Sequence, residues 1–179
     1  MELSELVAEA RSHFAAQFSD FVQDQRRLHT EGAPEIKLQL KEGSGLYRDF
    51  YCADFHTGGT DGRIIEFAPA QPFFTPEIDT RWHKTNLHVS SLHWNDVEIR
   101  HDAPSVDPTR FQAWFDRWFD IEGLNTLADS EFDNVLHSVS FEPDHFSIDF
   151  GTAPPAALLE LLLLLTESSA DSVRISAHH

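Results

Sequence analysis

From Val97 to the C-terminus, apolar residues switch between steps of two and steps of three and four, in the order strand, helix, strand, strand, helix, strand. This β-α-β-β-α-β order is the split-βαβ, ferredoxin-like pattern, and few architectures accommodate it. Its physical solution is an α+β fold, a mostly antiparallel sheet with helices packed on one face. Asp107-Pro108 opens the first of these helices with a capping acid and a proline at the first helical position. Phe111, Trp114, Phe115, Trp118 and Phe119 follow at helical spacing and span about 140° of the helix surface. Val135, His137, Val139 and Phe141 alternate as a strand, Glu142-Pro143-Asp144-His145 turns the chain, and Phe146, Ile148 and Phe150 return. The second helix carries the run LLELLLLL, apolar almost all round, and a strand over Ser172 to Ser176 follows.

Ahead of this unit the periodicity predicts a long N-terminal helix from about Ser4 to Leu28, with Leu3, Leu6, Val7, Ala10, Phe14, Phe18, Phe21, Val22 and Leu28 on one stripe. Ile36, Leu38 and Leu40 alternate with Lys37, Gln39 and Lys41, which predicts a half-buried strand with the aliphatic side chains inward. Leu46 to His56 and Arg63 to Phe67 are the next two expected strands, joined by the glycine-rich tip Gly58 to Gly62. Pro69, Pro72 and Pro76 mark an irregular crossing. Asn86 to Asp102 predicts a hairpin turning at Asn95-Asp96, with Trp94 opposite Val97 and Leu92 opposite Ile99. Leu124 to Asp133 is ambiguous, with a short helix one reading of it. The length suits a single domain over residues 1–179.

Charge restricts the partners of such a fold. Thirty acidic side chains face thirteen basic ones, for a formal charge of −17. A chain this acidic repels nucleic-acid phosphates and anionic membrane surfaces, and it attracts cationic proteins or metal ions. The excess is local: residues 116–149 hold nine acids and one base. Adjacent uncompensated carboxylates repel one another in the folded state, so a binding role is expected for Asp116, Asp120, Glu122, Asp129, Glu131, Asp133, Glu142 and Asp144, all placed at solvent by the expected fold.

Catalytic signatures are sparse. There is no phosphate-binding loop with its lysine, no Gly-x-Ser-x-Gly elbow and no His-Glu-x-x-His. Eleven histidines make chance pairs common. The best pair is His88 and His101, diagonal neighbours on one face of the expected hairpin. Asp54 and His56 share a strand face beside the glycine tip and could share a cation. Cys52 and His56 lie roughly 13 Å apart along a strand, too far for a dyad. His137, among Val135, Val139 and Phe141, is expected to be a buried histidine with one hydrogen-bond partner. The one cysteine, Cys52, can form no internal disulfide.

The leading expectation is therefore a non-enzymatic α+β module that binds a basic protein through its acidic surface, an immunity- or antitoxin-type inhibitor being one form. No cofactor is expected. A metal-dependent hydrolase drawing on Asp54, His56, His88 and His101 is the alternative, and a homodimer built on the Leu158–Leu165 helix is a third. Nucleic acid and membrane are not expected partners. The apolar stretch Ala156–Leu165 is about half the ~20 residues of a bilayer span. The acidic, helical N-terminus does not resemble a signal peptide, so a cytoplasmic location is expected. His178 and His179 are given no function.

Overall fold

A computed structural model describes residues 2–41, 43–126 and 130–177. Among the described residues three α-helices and nine strands form in the order α1 (Leu3–Leu28), β1 (Ala33–Gln39), β2 (Phe50–His56), β3 (Ile64–Ile65), β4 (Ile78–Trp82), β5 (Thr85–Val89), β6 (Val97–His101), α2 (Pro108–Phe119), β7 (Ser138–Phe141), β8 (His145–Asp149), α3 (Ala156–Glu167) and β9 (Ser172–Ala177). The sheet order is β1-β2-β7-β8-β6-β9-β5-β4, with β3 pairing beside β2.

The expected βαββαβ unit is present. Its four strands lie in the order β7-β8-β6-β9, each antiparallel to its neighbour. Each helix crosses between strands separated by one other, the arrangement that defines a split βαβ. Val97, Ile99, Val139, Phe146, Ile148, Val173 and Ile175 line the covered face and are buried. Phe111 of α2 stacks there on Phe146, 5.2 Å between centroids, and packs 4.9 Å from Phe141. Asp107 caps α2 by accepting from the backbone N–H of Thr109 and Arg110. All five aromatics of the α2 stripe are buried. Such burial contributes roughly 1.5–3 kcal/mol per large apolar side chain, which makes this stripe a main anchor of the core. The Trp114 indole N–H donates to the Ala157 carbonyl at 2.8 Å and locks α2 to α3. Leu158, Leu161, Leu162, Leu164 and Leu165 are buried within the chain itself, and Leu163 is the exposed leucine of α3.

Three expectations are corrected. The Asn86–Asp102 hairpin does not form, although the chain turns there, with Asp96 N–H donating to His93 O at 2.8 Å. β9 inserts between the two arms, parallel to β5 and antiparallel to β6. Trp94 and Leu92 lie outside any strand, and β5 pairs instead with β4, a strand that the Pro-rich crossing concealed. The second correction is the facing of β1. Glu35 is its buried residue, Ile36 and Leu38 are half-buried, and Leu40 is exposed. A one-residue change of face inverts a whole strand, and here the charged residues hold the inward positions. Third, the strand expected from Leu46 begins only at Phe50, after a 3-10 turn at Tyr47–Asp49, and the one expected over Arg63 to Phe67 shrinks to Ile64–Ile65. Among the described residues of the ambiguous 124–133 segment there is no helix.

Candidate functional site

The inverted facing of β1 has a reason. Pro34 pairs with Phe55 and Ile36 with Ala53, so Glu35 lies across from Asp54. Both carboxylates flank His137, which sits just before β7 and is 2% exposed. Its backbone is clamped: His137 O accepts from Cys52 N–H at 2.6 Å, and His137 N–H donates to Asp149 O at 3.0 Å. The ring has a carboxylate on each nitrogen. Nε2 lies 3.1 Å from Glu35 Oε1 and Nδ1 lies 2.7 Å from Asp54 Oδ1. The second contact is close but misaligned, so Nδ1 makes an ionic approach without a well-formed hydrogen bond.

Glu35 is tightly held. Asp133 N–H donates to it at 2.8 Å and the Thr152 hydroxyl donates to Oε1. Its φ of 52° lies in the left-handed region, a conformation costing roughly 1–3 kcal/mol for a non-glycine residue. Arg11 of α1 donates to Thr152 O at 3.2 Å and feels the Glu35 charge. Asp54 accepts from Phe67 N–H at 2.7 Å and Asp149 from Gly151 N–H at 2.8 Å. Donor atoms of Asp54, His137 and Asp149 all lie within 4.8 Å of one another. They border a cleft of about 230 Å³ whose wall also includes Leu46, Tyr51, Glu66 and Ser138.

The electrostatics follow from burial among like charges. Desolvation pushes the Asp149 carboxyl up to about 7, His137 opposes the shift and Asp54 adds to it. Asp149 retains partial exposure through the cleft, but its carboxylate is densely surrounded. Desolvation alone would lower the His137 pKa. The Asp54, Glu35 and Asp149 carboxylates outweigh it, so His137 stands well above 6.5. Burial pushes the Cys52 thiol up to about 12, so it is uncharged at neutral pH and the carboxylates carry the effect.

Of the four metal candidates from sequence, only Asp54 joins this cluster. His56 accepts from Gly58 N–H through Nδ1 at 3.2 Å and lies against Gly62, and the donors grouped with Asp54 are His137 and Asp149. His88 and His101 are on opposite faces of the sheet. His88 aligns with Arg174 on the open face, where Asp79 lies 2.8 Å and Glu77 3.6 Å away. His101 aligns with Val173 on the covered face, stacked 5.2 Å from Phe146. The insertion of β9 separates the pair. Sequence reasoning missed Glu35 and Asp149 as partners of His137. The signal for Asp149 was its place opposite Ile148 and Phe150 in an alternating strand; Glu35 carried none.

The acidic set occupies three places. Asp116 and Glu122 are exposed at the end of α2, where they line a hollow of about 420 Å³ with Ile121 and Leu124. Glu131 and Asp133 lie toward α1 and β1; Glu131 accepts from Ser19 Oγ at 2.9 Å and Asp133 from Thr126 Oγ1 at 2.9 Å. Glu142 and Asp144 are exposed at the β7–β8 turn, with Asp144 3.0 Å from His145 Nδ1 and held below the usual carboxylate range chiefly by that hydrogen bond. Asp129 lies outside the described residues. Asp120 corrects the expectation of a solvent-facing acid. It is 4% exposed with a left-handed φ of 52°, and its carboxylate accepts from Leu124 and Asn125 N–H, both at 2.8 Å. Its work is to end α2 and fold the following turn.

A second hollow, between α1 and the segments near Gln71 and Trp94, is bridged by its own polar groups. His13 Nε2 lies 2.9 Å from Gln71 O, and Gln71 N–H donates to Gln17 at 2.9 Å. No protein-family model, curated protein or solved structure matches the chain.

Proposed function

We propose that this protein is a non-enzymatic binding module that takes a basic segment of another protein on the hollow at the end of α2. One observation carries the reading. Ile121 and Leu124 are 56% and 76% exposed on the turn that Asp120 organises, with Asp116 and Glu122 beside them. Large aliphatic side chains held in solvent by a buried cap offer contact area, and the flanking carboxylates select a cationic partner. A segment with aliphatic residues and Lys or Arg complements both. An immunity- or antitoxin-type inhibitor of a cationic protein is the concrete form of this activity, and the cytoplasm is the compartment proposed for it. Nucleic acid is disfavoured by the charge of −17. Among the described residues no helix is long and apolar enough to cross a membrane.

The test compares immobilised wild-type protein with the Ile121→Ser/Leu124→Ser variant in cell lysate at low salt. The reading expects a basic protein that is retained by the wild type, released as salt rises, and lost from the variant. Retention of no basic protein at low salt, or equal retention by both proteins, contradicts it.

A further inference from the structure

The cluster around His137 is not used by the proposed docking surface, and its chemistry points elsewhere. Three carboxylates, from Glu35, Asp54 and Asp149, surround one imidazole in a largely buried place. Arg11 is a cation acting on Glu35. Buried carboxylates in such excess are costly unless a further positive charge joins them. We propose that Asp54, His137 and Asp149 bind one divalent transition-metal ion, zinc or manganese, with Glu35 orienting the histidine.

Four features support this assignment. The donor set is one imidazole nitrogen and two carboxylates, hard and borderline ligands suited to these ions. Second, the other ring nitrogen, Nε2, meets Glu35 Oε1 at 3.1 Å, and Glu35 is itself fixed by Asp133 N–H and the Thr152 hydroxyl. A carboxylate behind a metal-bound histidine sets its tautomer, leaving the forward nitrogen bare for the ion. Third, that forward nitrogen, Nδ1, is buried, has no well-aligned hydrogen bond and faces Asp54 at 2.7 Å. Bare nitrogen and carboxylate oxygen repel at this distance unless a proton or a cation stands between them. Fourth, the site is within reach of coordination. Donor atoms around a tetrahedral ion with bonds of about 2.1 Å stand roughly 3.4 Å apart, and here the three are within 4.8 Å. The cleft of about 230 Å³ has room for the ion and its waters, each needing ~30 Å³. A dication displacing the imidazole proton would balance three carboxylates together with Arg11.

The experiment uses untagged full-length protein stripped with chelator and titrated calorimetrically with Zn²⁺ and, separately, Mn²⁺. The expected result is one ion per chain for at least one metal, with a raised Tm. Asp54→Asn and Asp149→Asn each weaken that binding at least about tenfold, and His88→Ala leaves it unchanged. In the wild type, which needs no variant to fold, saturating Zn²⁺ or Cd²⁺ shifts the His137 Nδ1 nitrogen resonance. The proposal is overturned if neither ion binds the wild type, if both Asn variants bind as the wild type does, or if metal binds while His137 is unaffected. In those cases a proton alone holds the cluster together.

Discussion

At Gly151 a hydrogen atom in place of a side chain decides whether His137 fits. A Cβ built there would stand 2.0 Å from the His137 ring, and the φ of +49° is a left-handed conformation. Gly151→Ala therefore carries both overpacking and backbone strain. We expect a loss of about 2–4 kcal/mol in denaturant unfolding, far more than an average exposed substitution. His101 gives a second prediction at this scale. Burial depresses its pKa below 6.5, against the pull of Asp144 and Asp102 and with His145 opposing protonation. Between 6.5 and that lower value the unfolded chain binds the proton and the folded one does not. Its contribution to stability is complete above pH 6.5 and is lost as pH falls through the folded pKa. His101→Phe keeps the stack on Phe146 and removes the titration. Equilibrium unfolding across pH 7 to 5 should show a shallower fall in stability for the variant, and identical slopes would refute the assignment.

At the scale of elements, β9 comes last in order among the described strands and yet sits between β6 and β5, hydrogen-bonded on both edges. A strand paired along both edges opens only when its neighbours do. Amide exchange should place Val173 and Ile175 in the slowest class, with Ile64 and Ile65 of the two-residue β3 among the fastest. The same strand marks where sequence reading stopped working. The βαββαβ order was legible because each of its elements carries its own period and boundary signals: Asp107-Pro108 before α2, Pro143-Asp144 between β7 and β8. The Asn95-Asp96 turn was equally visible, but the hairpin that it implied was not the pairing that formed. A strand some 80 residues downstream competes for both arms, and no local pattern reports that. In β1 the charged Glu35 and Lys37 turn inward, because Glu35 finds His137 and Lys37 reaches the Asp120 carbonyl. Periodicity identifies two faces; partners elsewhere in the chain decide which is buried. The cluster was illegible for the same reason, since its members come from β1, β2, the approach to β7, and β8.

For the whole molecule, the charge of −17 has two consequences of opposite sign. Self-repulsion among carboxylates works against the compact state, so moderate salt should stabilise the fold. A rising Tm between about 20 mM and 500 mM sodium chloride, read by circular dichroism, checks this. Association with a cationic partner should weaken over the same range. Five of the α3 leucines are covered within the chain, Leu159 is half-buried and Leu163 is exposed. The claim that joins fold to function is that Ile121, Leu124 and the acids beside them form the docking surface. The direct measurement is the affinity of the basic partner retained from lysate, for wild type, Ile121→Ser/Leu124→Ser, and a control that removes two acids from α1, Asp20→Asn/Asp24→Asn. The account predicts at least a tenfold loss for the hollow variant, a salt-dependent wild-type affinity, and only a small change for the control. Equal affinities of the hollow variant and the wild type would contradict it.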